Sequence, residues 1–332
     1  MKSHAIMMDR AGPPEVLTWR SVELPPLRPD EVRLRTLAAA VNHSDLEIRA
    51  GTWPLLPESP FPYVPGLEAV GEIVGIGSDV SGLVVGQRAW TMMQGLGGVR
   101  AERPGGYAEH VTVAASALAP LPDELDPVEF AAVGLAGVTA YQGLAQIGPL
   151  DQRRLVVTGA GGGVGSAAVA LAKMQGAWVL AVASRPEQQA YLAELGADEV
   201  VVARAAEPLR AALPERSVDA VFDTVAGPLF PVLVKALRHS GRLSVVGAMA
   251  GNDAVFDVWD LLLGITLTGY STEDLDGAAL REATRVLVDG LRARRLRVPA
   301  RTLVPIREAS RAHAMLERHE VSGRIVLVPE AG

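Results

Sequence analysis

Apolar residues follow two regimes along the chain. From residue 1 to about 120 they form short runs cut by glycine and proline, at Val32 to Val41, Glu68 to Ile76, Gln87 to Thr91 and Ala108 to Val113. Runs of this kind bounded by turn residues predict β-strands. Proline groups at Pro25, Pro26 and Pro29, then at Pro54, Pro57, Pro60, Pro62 and Pro65, predict rigid turns between them, because the ring fixes φ and removes a donor. A helical segment is predicted from near Ser44. From Asp126 to Gln146 the pattern is helical, with two short helices expected around Gly134 and Gly137.

Beyond Arg154, strand and helix patterns alternate. Strands are predicted at Leu155 to Thr158, Trp178 to Ala183, Glu199 to Val202, Ala220 to Asp223, Leu243 to Val246 and Ile265 to Thr268. Helices are predicted at Gly163 to Gln175, Pro186 to Leu195, Ala206 to Leu213 and Pro228 to His239. Six strands joined by crossovers of this length predict a doubly wound parallel sheet of α/β class. Two more helices, Leu280 to Arg294 and Ile306 to His319, precede a final strand, Gly323 to Val328. The expected division is a dinucleotide-binding domain of residues 123–269 inserted into a β-rich domain of residues 1–122 and 270–332. Ile265 to Thr268 is an apolar strand at the expected sheet edge, which invites pairing with its copy in a homodimer.

The junction from Leu155 to Gln175 carries the strongest chemical signal. Leu155, Val156 and Val157 form the strand; Val164, Ala167, Ala168, Leu171 and Ala172 recur on one helix face. Between them Gly159, Gly162 and Gly165 fit G-x-x-G-x-x-G, and Ala160, Gly162 and Gly165 fit the dinucleotide fingerprint with alanine at its first position; missing Cβ atoms let the backbone turn sharply and approach a pyrophosphate. Gly162, Gly163, Val164 and Gly165 are the candidate phosphate contacts, at a helix N-terminus with unpaired N–H groups. The plain alternative is a glycine-rich turn. About twenty residues on, an NAD site would carry an acidic residue for the ribose 2′-hydroxyl. Ala183, Ser184 and Arg185 stand there instead, with Arg204 after the next strand. A hydroxyl and a guanidinium suit a 2′-phosphate, so NADPH is the expected cofactor.

Composition narrows the class. Hydrophobic residues make up 49% of the 332 and charged residues 21%, a globular balance. The formal charge of −7 argues against nucleic acid as the main partner. There is no cysteine, which removes thiolate metal sites and cysteine nucleophiles and fits a cytoplasmic enzyme. The opening MKSHAIMMDR lacks the basic start and apolar run of a signal peptide, and no membrane association is expected.

Several blocks together resemble the medium-chain dehydrogenase/reductase superfamily, and within it the zinc-independent quinone oxidoreductase branch that includes zeta-crystallin. They are AVNHSDLEIRAG from Ala40, PGLEAVGEIVGIGSDV from Pro65, GGYAEHV from Gly105, LAGVTAYQGL from Leu135, the VTGAGGGVG turn, VDAVFDTVAG from Val218, GRLSVVG from Gly241 and SGRIVL from Ser322. The resemblance implies a GroES-like β domain plus a Rossmann domain, NAD(P)H in the cleft between them, and usually a homodimer. It also implies a zinc-independent reduction. The zinc alcohol dehydrogenases of the superfamily have a Gly-His-Glu triplet where this chain has Gly66, Leu67 and Glu68. His43, Asp45 and Glu68 offer nitrogen and oxygen to a metal, but without the softer ligands no metal is expected.

By resemblance, Asn42 lies beside the nicotinamide and substrate, Thr139 contacts the nicotinamide side, and Trp53 stands where an aromatic lines the quinone pocket. The bland readings are a turn asparagine and a hydrophobic anchor. Asp45 is placed to cap or brace its loop, and Glu68 to support the site from behind. His43, titrating near neutral pH, is a candidate proton donor or simply a packing residue. Thr224 and Gly247 end strands where open α/β sheets bind ligands, and Ala248 and Ser271 are assigned to the cofactor on the same ground. Arg324 occupies a position that often carries a lysine near the cleft; strand-end charge is its alternative. The expected activity is NADPH-dependent hydride transfer to a quinone or α,β-unsaturated carbonyl compound. Competing readings are an enoyl-thioester reductase, a zinc-type alcohol dehydrogenase lacking its ligands, and an NADPH-binding protein without turnover.

Overall fold

The computed structural model describes residues 1–53, 61–93, 103–321 and 323–330. The turns expected at Pro54, Pro57 and Pro60, the segment 94–102 of the loop expected to shape the pocket, and Ser322 lie outside the described residues. Two compact units divide the chain, one of Met1–Leu135, Glu273–Val288 and Val298–Gly332, the other of Ala136–Thr272 and Asp289–Arg297.

The first unit opens with an antiparallel hairpin, β1 (Lys2–Met7) and β2 (Thr18–Glu23). Its organising element is β3 (Glu31–Val41), eleven residues long and almost wholly buried. Strand β3 ends in α1 (His43–Ala50), which begins at the extended N-cap Asn42 and stops at Gly51 in the left-handed conformation. Antiparallel to β3 lie β4 (Glu68–Ile76) and β6 (His110–Ala114); β5 (Arg88–Met92) pairs with β4, and β7 (Ala119–Pro120) with β5. Val32, Leu34, Ile73, Val111 and Val113 fill the space between them with branched side chains.

A single helix, α2 (Pro127–Ala145), follows, where two short ones are expected from the sequence. Gly134 does not break it. A Cβ there would meet Glu68 Oε2 at 2.7 Å and Trp90 at 3.1 Å, so this glycine admits neighbours. Among the described residues α2 is the one helix long and apolar enough to cross a membrane, and 67% of that stretch is buried inside the protein.

The second unit runs β8 (Arg154–Val157), α3 (Gly163–Met174), β9 (Trp178–Ala183), α4 (Gln189–Glu194), β10 (Glu199–Val202), α5 (Ala206–Ala212), β11 (Val218–Asp223), α6 (Phe230–Ala236), β12 (Leu237–Val245) and β13 (Thr266–Gly269). All six strands are parallel in the order β10-β9-β8-β11-β12-β13, the doubly wound sheet read from the sequence. The expected helix from Pro228 to His239 stops early, at Ala236. Buried Leu237 already pairs with Val218, and the register shifts before Arg242 pairs with Ala220, around Ser240 at positive φ.

The chain then returns to the first unit through α7 (Gly277–Arg292), β14 (Arg301–Pro305), α8 (Ala309–Glu317) and β15 (Arg324–Val328). Strand β15 lies antiparallel to β3, with Ile325 opposite Val41 and Leu327 opposite Ala39, and β14 lies parallel outside it. Strand β14 is not predicted by the sequence pattern. A buried indole ties α7 to the sheet: Trp90 Nε1 donates to Thr284 Oγ1 at 2.8 Å, and that hydroxyl donates to the Leu280 carbonyl at 2.7 Å. Thr284→Val leaves the indole N–H buried and unpaired, so it should cost about 1–3 kcal/mol in urea unfolding; an unchanged midpoint would show the bond to be idle.

Candidate active site

The first unit gathers a polar cluster where β3 passes into α1. Asn42 is its centre. Its Nδ2 donates to Glu68 Oε1 at 3.0 Å, and its Oδ1 accepts from an Arg324 terminal nitrogen at 2.6 Å. Glu68 accepts a second bond from the Leu135 N–H at 3.1 Å and lies 3.9 Å from Arg324. Glu68 is wholly buried; burial pushes its carboxyl up to about 7, against the pull of Arg324 and the bonds from Asn42 and Leu135. Arg324 is also buried, and its Nε has no hydrogen-bond partner among the described residues.

A second chain of bonds braces the same loop from behind. Asp45, in the first turn of α1, accepts from the Asn42 N–H at 2.8 Å and the Leu67 N–H at 3.1 Å. Its burial raises its carboxyl to about 6 despite these bonds and one from the Tyr107 hydroxyl. Tyr107 in turn meets His313 Nε2 at 3.2 Å, with the two rings edge to face. His313 is fully buried on α8, and burial, then the charge of Arg49, lowers its imidazole to about 3. Asp45 thus has both oxygens committed to the loop, the arrangement of a brace.

His43 and Trp53 stand nearer to solvent. His43 is exposed at the start of α1, yet its ring has enough protein around it to be lowered by desolvation first, then by Arg324 and His319. Trp53 is half-buried, and its indole Nε1 has no partner among the described residues. An indole N–H buried in this way is a donor available to an oxygen.

In the second unit the glycine turn connects β8 to α3. Gly159 takes a left-handed φ of 56°. Gly162 is the extended, exposed N-cap of α3, and Gly163 and Val164 are half-buried in its first turn. A side chain at Gly165 would run into the Gly159 carbonyl and come within 2.7 Å of the Ala160 Cα, so only glycine lets α3 pack this closely on the turn. The turn is held from β11: Thr158 Oγ1 donates to buried Asp223 at 2.5 Å, the Thr224 N–H donates to Thr158 Oγ1 at 2.9 Å, and Thr224 Oγ1 donates to the Thr158 carbonyl at 3.0 Å. Free N–H groups at the start of a helix of this length, with a cradle that a Cβ would fill, fit a dinucleotide pyrophosphate.

At the end of β9, Ser184 and Arg185 are exposed, as is Arg204, whose Nε donates to the Ser184 carbonyl at 2.6 Å. Gln188 Oε1 takes the Ser184 N–H at 3.1 Å and the Arg185 N–H at 3.3 Å. Gly247 and Ala248 are half-buried just beyond β12, the glycine passing close to the Thr224 carbonyl. Thr139 is buried on α2, and Ser271 is exposed just after β13.

Asn42, Asp45 and Arg324, named from the sequence, meet in one cluster; His43 lies close enough to Arg324 to feel its charge. Two members of the network, Tyr107 and His313, are missed by the sequence reading, and Glu68 is underweighted as remote support. The GGYAEHV block contains Tyr107, but nothing in local pattern reveals a hydroxyl bridging Asp45 to a histidine 206 positions later.

Comparison with known proteins shows the family to which the chain belongs. Residues 28–123 match the alcohol dehydrogenase GroES-like domain, and residues 163–288 match the zinc-binding dehydrogenase family. The chain is 31% identical to human (Homo sapiens) quinone oxidoreductase, over 74% of its own length and 73% of the relative's. It is 29% identical over 98% of its length to a phenolphthiocerol/phthiocerol polyketide synthase protein of Mycobacterium tuberculosis, of which it spans 15%. The crystal structure of Escherichia coli quinone oxidoreductase complexed with NADPH superposes with a TM-score of 0.84 at 25% identity, covering 98% of this chain and all of that one.

The buried imidazole makes stability depend on pH. Folded His313 stays neutral down to about pH 3, whereas the unfolded chain takes up its proton near the ordinary value of 6.5. Its contribution is therefore full above that value and is lost as pH falls through the window between them. Asp45 and Glu68, with raised values, act in the opposite sense, their cost easing as pH drops below 7. His313→Gln should flatten the loss of stability between pH 6.5 and 4 relative to the parent, as measured by urea unfolding; parallel curves would refute this.

Proposed function

We infer that this chain, a member of the medium-chain dehydrogenase/reductase superfamily, is an NADPH-dependent reductase of quinones or α,β-unsaturated carbonyl compounds that works without a metal. It is an oxidoreductase of the same kind as the quinone oxidoreductases. The observation that carries the cofactor half is the basic end of β9: Ser184, Arg185 and Arg204 stand exposed where NAD would require a carboxylate. The Escherichia coli relative's structure is a complex with NADPH, which supports the same choice.

The bound cofactor would supply hydride from nicotinamide C4. This chain's residues then have to hold the acceptor and stabilise the oxygen that gains charge. Asn42 is the proposed donor to that oxygen; its bond to the Ala40 carbonyl, at 3.5 Å, is at the outer limit and exchangeable for a better acceptor. Trp53, whose indole N–H has no partner among the described residues, is proposed as a further donor, by its position in the resemblance. Conjugation in a quinone or enone spreads the developing charge, so neutral donors suffice. Leu67, fully buried, puts an aliphatic side chain where the zinc enzymes carry a histidine, which supports the metal-free reading. Desolvation, then the charges of Arg324 and His319, holds His43 below its ordinary value and disfavours its protonated form, and solvent beside it is the proposed source of the product's proton.

A second reading, reduction of an enoyl thioester, draws on the similarity of nearly the whole chain to a segment of a polyketide synthase. A screen of quinones, enones and enoyl thioesters with NADPH and NADH separates the two. Turnover of quinones or enones is expected; tight NADPH binding with no acceptor reduced would sink the reading. Arg185→Glu should weaken NADPH at least about tenfold relative to NADH by fluorescence titration, since a 2′-phosphate would then face a carboxylate. No relative change would reject the phosphate assignment.

A cytoplasmic homodimer completes the proposal. Strand β13 is one of the two edges of the second unit's sheet, and Val258, Trp259 and Leu262 just before it are exposed, Trp259 by 75%. Apolar side chains beside an open edge favour a second copy as their cover. Light scattering at micromolar concentration should give twice the chain mass, and Trp259→Lys should shift it toward monomer; a monomeric parent would reject the dimer.

A further inference from the structure

Arg324, expected from the sequence near the cofactor, is bonded within the protein to the Asn42 amide. One terminal nitrogen is bonded to Asn42 Oδ1 at 2.6 Å and lies 3.9 Å from Glu68 Oε1, while Glu68 takes the other end of the same amide at 3.0 Å. A guanidinium has donors only, and an ionised carboxylate acceptors only. Set against opposite ends of one primary amide, they allow it a single orientation. The flipped amide would oppose its carbonyl to the carboxylate and its NH2 to the guanidinium.

The arrangement is costly to keep. Both charged groups are buried, and the Arg324 Nε has no partner among the described residues, so the guanidinium is not placed to satisfy its own donors. With the amide so oriented, one Nδ2 hydrogen is taken by Glu68, and the other has the Ala40 carbonyl at 3.5 Å and the Asp45 carboxylate as its nearest acceptors. We propose that Arg324 and Glu68 are positioning residues, acting through Asn42 to hold its amide in the one orientation in which it would meet the substrate oxygen. This rests on the proposed reductase reading, in which Asn42 touches the substrate; Arg324 and Glu68 need not.

The orientation depends on Glu68 being ionised. The groups that face it are Arg324, the Asn42 amide and the Leu135 N–H, with Asp45 and Tyr107 near enough to act on it or be acted on. Below neutrality a protonated Glu68 can itself donate, and the amide loses one of the two constraints on its direction.

A double-mutant cycle tests the proposal. Asn42→Ala and Arg324→Gln should each lower kcat with a quinone by about 10- to 100-fold. Arg324→Gln made in the Asn42→Ala background should cost little more, and Arg324→Lys should recover part of the loss. The NADPH Kd of Arg324→Gln should stay within about threefold of the parent, a ~0.7 kcal/mol limit. An undiminished penalty in the double variant, or NADPH binding weakened in both backgrounds, would assign Arg324 to the cofactor or to the fold and overturn the proposal.

A second readout needs neither cofactor nor turnover. The side-chain amide signal of Asn42 in ¹H–¹⁵N spectra, identified by its loss in Asn42→Ala, should titrate with an inflection in the neutral range in the parent. That inflection should vanish in Glu68→Gln, and Arg324→Gln should narrow the shift difference between the two amide protons. An amide signal indifferent to both substitutions would refute the positioning role. If the parent reduces no acceptor at all, the functional reading fails, and the amide spectra alone decide whether Asn42 is held as described.

Discussion

Two carboxylates buried close to one another dominate the first unit. Taking an ionised carboxylate out of water costs several kcal/mol unless it is bonded and compensated. Asp45 and Glu68 are both fully enclosed, and the structure meets that cost with backbone N–H groups from Asn42, Leu67 and Leu135, one asparagine amide, one tyrosine hydroxyl and one arginine. These partners come from the end of β3, the start of β4, the segment before β6, the first half of α2 and the last strand. The charge cluster therefore ties together elements that hydrophobic packing alone would leave free to shift. Conformational specificity is the return on an arrangement that a well-packed apolar core would make cheaper.

The second unit solves a different problem with backbone alone. Its six parallel strands form one sheet, and its site is made by removing side chains where α3 meets β8. Thr158, Asp223 and Thr224 then hold the bare turn through a closed set of hydrogen bonds. One unit thus offers backbone dipoles and exposed cations suited to phosphates, and the other a neutral amide locked between opposite charges.

The fold was legible in the sequence wherever period and punctuation agreed. The parallel strands declare themselves through β-branched runs such as Leu155 to Val157, and the glycine turn is visible because its spacing is fixed by local geometry. Misreadings arose where a residue's role is tertiary. Gly134 looks like a helix breaker but makes room for Glu68 and Trp90, and Leu237 looks helical but is drawn into the sheet by Val218. For the site, Asn42 and Arg324 could each be singled out by motif, yet their bond spans 282 positions and leaves no local trace. Tyr107 and His313 are ordinary residues in any window; only the packing of α8 makes them a pair.

That long span bears on how the molecule is made. Strand β3 leaves the ribosome with one flank reserved for β15, and residues 325–327 arrive only after nearly three hundred more have been added. At ordinary elongation rates of about 5–20 residues per second, the interval is on the order of tens of seconds. Throughout it, Glu68 and Asn42 must wait without their cation, beside an open strand edge of the kind that recruits other chains. The second unit, whose strands are all contiguous within residues 154–269, can close during the same interval. The sheet of the second unit can therefore be complete before β15 emerges, and that last strand supplies both the missing edge and the missing charge of the first.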